Sequence, residues 1–84
     1  MENYVPPQPP KSVRIVLDLA KAEKRIDVVL LAALREQKEN LRLQTISRLK
    51  FKQMFLDGKV LIKGQRARVS SAVAKGITYV DLLD

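Results

Sequence analysis

Eight cations crowd the window from Arg42 to Arg68: Arg42, Arg48, Lys50, Lys52, Lys59, Lys63, Arg66 and Arg68, against a single acid, Asp57. Eight minus one is +7, the net charge of the whole chain, so the residues outside the window sum to zero. The chemistry open to such a cluster is neutralisation of closely spaced anions, with lysine as a point charge and arginine as a planar fork matched to phosphate oxygens. The chain contains no His and no Cys. It therefore lacks the usual general base near neutral pH, thiolate nucleophiles, disulfides and soft metal ligands. Its acids are scattered, so the expectation is binding without catalysis, and with no metal or cofactor. A pI of about 10.1 favours polyanions, with nucleic acid and anionic membrane as the two classes. The bland alternative is a solvated positive face that pairs with nothing.

These cations need a scaffold, and 84 residues allow one small domain with one core. At 46% apolar and 30% charged, the composition is that of a folding globular chain. No apolar run approaches the length that spans a bilayer, and the first residues lack an apolar h-region. A cytoplasmic protein with no membrane partner is expected, and a monomer. Residues 1–12, with Pro6, Pro7, Pro9 and Pro10, form a proline-rich leader expected to be extended or flexible, and 13–84 form the single domain. The PPQPP run also has the PxxP spacing of ligands for aromatic-lined grooves, and Tyr4 is a candidate for stacking on a base.

The alternation V-R-I-V-L-D over Val13 to Asp18 predicts a half-buried strand with Val13, Ile15 and Leu17 inward. Ile26, Val29, Leu30, Ala33 and Leu34 repeat at helical period and predict a first helix over about Arg25 to Lys38. From Glu39 to Ile46 the period lapses, which predicts a loop or a fraying extension of that helix. Ser47, with Thr45 as the competing cap, is placed to start a second helix that buries Phe51, Met54 and Phe55 and ends at Gly58. Val60 to Ile62 and Arg66 to Val69 read as a hairpin turning through Lys63, Gly64 and Gln65, with Arg66 and Arg68 on one face. Thr78 to Leu83 alternates again, with Val80 and Leu82 inward. The expected fold class is α+β: two helices packed on a small, mainly antiparallel twisted sheet of about four short strands.

Three pieces of this pattern together resemble the RNA-binding domain named for small-subunit ribosomal protein S-four, also called the alpha-L motif. The family's form runs R-L-D, then S-R-x-x-x-K, then G-x-V-x-V-N-G. Arg25, Ile26 and Asp27 match the first piece, Ser47, Arg48 and Lys52 the second, and Gly58, Val60, Ile62 and Gly64 the third. The likeness covers about Val13 to Leu83. The strand ahead of R-I-D looks most like the copies that lead bacterial pseudouridine synthases, and the chain is also similar to stand-alone members associated with ribosomal RNA. Three positions depart from the pattern. The 22 positions from Arg25 to Ser47 (47 minus 25) exceed the gap in compact members, Lys63 replaces the hairpin asparagine, and Ile77 follows a glycine where an acid is frequent.

The resemblance implies a non-catalytic module for structured RNA, ribosomal RNA first, bound through the second helix and hairpin, alone or as the leader of an enzyme whose chemistry lies elsewhere. The residues it assigns to RNA are Arg48, Lys52, Lys63, Arg66 and Arg68, with Lys50, Arg42 and Arg25 beside them. Arg25 has a structural alternative in pairing with a carboxylate. Phe51 and Phe55 are core residues by their spacing, which argues against recognition of bases stacked on aromatics. Two other functions compete: a winged-helix DNA-binding domain, which needs a compact helix-turn-helix, and a protein-interaction adaptor working through the proline leader.

Overall fold

In the computed structural model, Val5 and residues 7–83 are described. The alternating V-R-I-V-L-D run lies within strand β1, Ser12–Leu19. It is followed by helix α1, Ile26–Glu36, helix α2, Leu41–Gln44, helix α3, Arg48–Leu56, strands β2, Val60–Ile62, and β3, Gln65–Arg66, and strand β4, Gly76–Leu83. All pairings are antiparallel and the sheet order is β1-β4-β2-β3, so the last strand in sequence lies between the first and the hairpin. The α+β class expected from the sequence is the class found. The helix count differs by the single turn of α2, which falls in the stretch where periodicity lapses.

One sheet face is apolar and carries the helices. Ile15 and Leu17 of β1, Val60 of β2, and Val80 and Leu82 of β4 meet Ile26, Leu30 and Leu34 of α1, Leu43 of α2, and Phe51 and Phe55 of α3. The two phenylalanine rings stand edge to face, 5.1 Å apart, as their four-residue spacing on a helix allows. Both are 3% exposed and belong to the core. The α1 terminus has no side-chain cap; the Ile26 amide donates instead to the Ser71 carbonyl at 2.8 Å, and Glu23 and Val73 exchange both backbone bonds at 2.9 Å. The long connection before β4 is thereby tied down, and Val73 is buried.

The other sheet face carries one strong polar feature. Arg14 and Asp81 lie directly opposite on β1 and β4, and the Arg14 guanidinium donates to both Asp81 oxygens, Nε to Oδ1 at 2.8 Å and Nη2 to Oδ2 at 2.9 Å. Asp81 is 1% exposed. The guanidinium also lies 5.3 Å from the centre of the Tyr79 ring. Hydrogen bonding to Asp81 raises the Arg14 pKa above its ordinary value, against a lesser opposing effect of desolvation, so this arginine holds its proton more firmly than most. No buried side-chain nitrogen or oxygen among the described residues lacks a partner.

The leader is more ordered near the domain than its composition predicts. Ser12 already belongs to β1, its hydroxyl donates to the Pro9 carbonyl at 2.6 Å, and Lys11 has a left-handed φ of 59°. This is a turn rather than a continued polyproline helix. Tyr4 and Pro6 lie outside the described residues. Among the described residues no helix is long and apolar enough to cross a membrane.

Candidate nucleic-acid interface

Helix α3 begins where the sequence places it. Ser47 is extended, and its hydroxyl accepts from the Lys50 amide at 3.1 Å, satisfying one of the free donors of the first turn. The 3.6-residue period then sorts the side chains. Phe51 and Phe55 go inward, Arg48 and Lys52 share one flank, and Lys50 takes the other.

That sorting places the cations beside two different clefts. Arg48 and Lys52 line a cleft of about 540 Å³ between α3 and α1, together with Arg25, Asp27 and Arg35; Val28, Leu31 and Val69 supply apolar wall. Lys50 lines a second cleft, of about 650 Å³, with Arg42, Lys59 and Asp57, between the α2–α3 corner and the ends of β1 and β4. The basic window is therefore not one patch: α3 is a ridge between Arg48 and Lys52 on one side and Arg42, Lys50 and Lys59 on the other, while Lys63, Arg66 and Arg68 line neither cleft.

The hairpin departs from expectation in one strand. Ile62 pairs with Gln65, leaving Lys63 and Gly64 as a two-residue turn with φ of 52° and 82°. Positive φ at both central residues is the requirement of a type I′ turn, so the lysine holds the left-handed conformation that asparagine would adopt more easily. The return strand stops at Arg66 instead of running to Val69. Ala67 still donates to the Val60 carbonyl at 2.8 Å, but the next residue that would face it across the ladder, Gly58, has a left-handed φ of 72° and lies before β2 begins. The chain turns away, with the Arg68 amide donating to the Ser71 hydroxyl at 2.9 Å. Arg66 and Arg68 therefore do not form the same-face pair predicted from an extended strand.

Arg66 has a structural task that sequence reading missed. Its Nη2 donates to the Leu56 carbonyl at 2.6 Å, satisfying one of the free carbonyls that end α3 and placing a cation at the negative end of the helix. Gly58, with φ of 72°, lies under the same guanidinium; a Cβ there would approach Arg66 Nε to 3.4 Å. A side chain there would meet the arginine only at ordinary contact distance, so it is the positive φ that calls for glycine. Arg25 takes the structural alternative, donating to Asp27 through Nε at 3.1 Å and Nη2 at 3.0 Å, in an exposed pair. Arg35, which the sequence did not single out, lines the first cleft but spends Nη1 on the Gln44 carbonyl at 2.6 Å.

No family model, curated protein or solved structure matches this chain. The cations of the basic window and its surroundings divide by what they bind. Arg14, Arg25, Arg35 and Arg66 are engaged by the protein itself. Arg42 is also engaged and lines the second cleft. Among the described residues the side chains of Arg48, Lys50, Lys52, Lys59, Lys63 and Arg68 have neither a carboxylate nor a hydrogen-bond acceptor, and all six are exposed. The segment between α1 and α3 is itself a built element. Asn40 caps α2 by accepting from the Leu43 amide at 3.1 Å, and the Gln37 side chain binds the Glu39 and Asn40 amides and the Asn40 carbonyl. The helix before α3 is thus a single turn, far shorter than the first helix of a DNA-reading helix-turn-helix.

Proposed function

We propose that the domain is a non-catalytic module that binds structured RNA, ribosomal RNA first, through phosphate contacts from α3 and the β2–β3 hairpin. The observation that carries this reading is the set of six exposed cations, Arg48, Lys50, Lys52, Lys59, Lys63 and Arg68, that have no anionic partner among the described residues. They fall within 21 consecutive residues (68 minus 48, plus one), on α3, at the entry to β2, at the hairpin turn and just past β3. Cations held on adjacent rigid elements suit a folded RNA, whose phosphates come close together at helices and junctions and release counterions when neutralised. Arg48 lies in the first turn of α3, beside amides that also favour anions. The core position of both phenylalanines leaves shape and backbone charge, rather than base stacking, as the means of recognition.

The test is a salt titration of binding to a structured ribosomal RNA fragment, read by fluorescence anisotropy. Neutralising about five phosphates gives a slope of log affinity against log salt of roughly −3.5 to −4.5. Replacing Arg48, Lys52 and Lys63 together by alanine should bring the slope down by roughly 2 to 3 with the circular dichroism spectrum unchanged. A flat salt response in the native protein, or tighter binding to duplex DNA than to folded RNA at equal salt, removes the reading.

A further inference from the structure

Strand β1 lies at the edge of the sheet, and its free side has a definite hydrogen-bonding pattern. On β4, the Leu83 amide donates to Lys59 and the Tyr79 carbonyl accepts from Lys63, so the odd-numbered residues of β4 face β2. In an antiparallel strand the N–H and C=O of one residue point to the same side and successive residues alternate. Thr78, Val80 and Leu82 therefore face β1, where they oppose Leu17, Ile15 and Val13. The even-numbered residues Arg14, Val16 and Asp18 are left with backbone groups pointing away from the sheet.

This eight-residue edge has few of the features that block strand pairing. It contains no proline, and Val16 is 51% exposed. Its two charges, Arg14 and Asp18, sum to zero and are symmetrically placed two residues either side of Val16. We propose that this edge pairs antiparallel with the same edge of a second copy, about a two-fold axis at Val16. Arg14 then lies opposite Asp18 on both sides of the axis; its Nε and Nη2 stay on Asp81, and Nη1 is the donor left for the second carboxylate. Val13 opposes Leu19 and Ile15 opposes Leu17 on the helix-bearing side, so the pairing spans residues 13–19.

Charge and apolar pattern select this register over its neighbours. Moving the axis to Ile15 or Leu17 keeps the free backbone groups opposed but sets Arg14 or Asp18 against Val16 and loses the charge match; moving it to Arg14 sets arginine against arginine, and to Asp18 carboxylate against carboxylate. Slipping by one residue would oppose backbone groups that are already used within the sheet. The basic hairpin is at the far side of the sheet, so Lys63 and Arg66 do not lie at this contact; Arg42, Lys50 and Lys59 share a cleft with Val13 at one end of the strand, away from the axis at Val16. The pairing does not depend on RNA binding, and it departs from the monomer expected from the sequence.

Sedimentation velocity of the full 84-residue chain without RNA, from low micromolar to millimolar, should show mass rising from 9.5 toward 19 kDa (2 × 9.5). V16P removes the two central intermolecular donors while sparing the β1–β4 ladder, and should weaken dimerisation about tenfold or more with the fold retained. Because the chain has no cysteine, V16C offers a register test. Opposed residues in a hydrogen-bonded pair lie about 5.5 Å apart at Cα, within disulfide range, whereas two D18C positions would be roughly 14 Å apart. Rapid oxidative dimerisation of V16C but not D18C is expected. A monomer at every concentration, a folded V16P variant that dimerises as the native chain does, or equal cross-linking of V16C and D18C overturns the proposal.

Discussion

Lys63 has two properties that pull against each other. It offers an unpartnered cation at the tip of the hairpin, and it does so from a left-handed φ of 52° that lysine adopts at a cost. K63N should therefore stabilise the fold by about 1 kcal/mol, measured by urea denaturation, because asparagine tolerates this conformation better. The same variant should lose roughly 0.7 to 0.9 from the salt slope of RNA binding, the share of one phosphate contact. Arg66 divides differently. It stands in the same cationic run but spends a donor on the end of α3, so its removal confounds stability with binding. Nothing in the local sequence distinguishes these two roles, because the partner of Arg66 is a backbone carbonyl ten residues earlier.

Among the elements, α2 shows where periodicity stops being informative. A helix of four residues has only one inward position, here Leu43, and one buried residue cannot establish a period. The readable signal is Asn40, an N-cap residue immediately before Leu41, and its role depends on Gln37 holding the preceding turn. N40A should cost about 1 kcal/mol and lower the melting temperature by roughly 4 to 8 °C. α3, by contrast, was legible in full: its cap, its buried phenylalanines and its glycine stop each have a local residue signature, and all three lie where the sequence puts them. β1 and the inward residues of β4 were legible for the same reason, through alternation. Their pairing was not, and the Arg14–Asp81 contact joins residues 67 positions apart with no pattern between them. In a double-mutant cycle, D81L should destabilise the protein more than the R14L/D81L double variant, because the single change leaves a mostly buried guanidinium without its carboxylate. Thermal denaturation of the native and three variant proteins measures that difference.

At the scale of the molecule, charge and topology are arranged together. The sheet runs from an uncharged-on-balance edge, β1, to a hairpin that carries Lys63 at its tip, and the helix with the unpartnered cations connects into that hairpin. The fold class could be inferred from the order of elements, whereas the separation of cations into two clefts, a hairpin group and an internally paired set requires the three-dimensional positions. The sheet order also governs when the chain can acquire structure. β1 and β2 do not touch each other; both wait for β4, the final strand, to insert between them. A nascent chain emerging from the ribosome has every helix and the hairpin available before it has a sheet to receive them. Folding therefore completes only when the stretch through Leu83 is free, and it must close a separation of some 70 residues, from Ser12 to Leu83, in the same step (83 minus 12 is 71). A truncation ending at Lys75 should be susceptible to protease throughout and show no cooperative melt, even though it keeps all three helices and every residue of the proposed RNA surface.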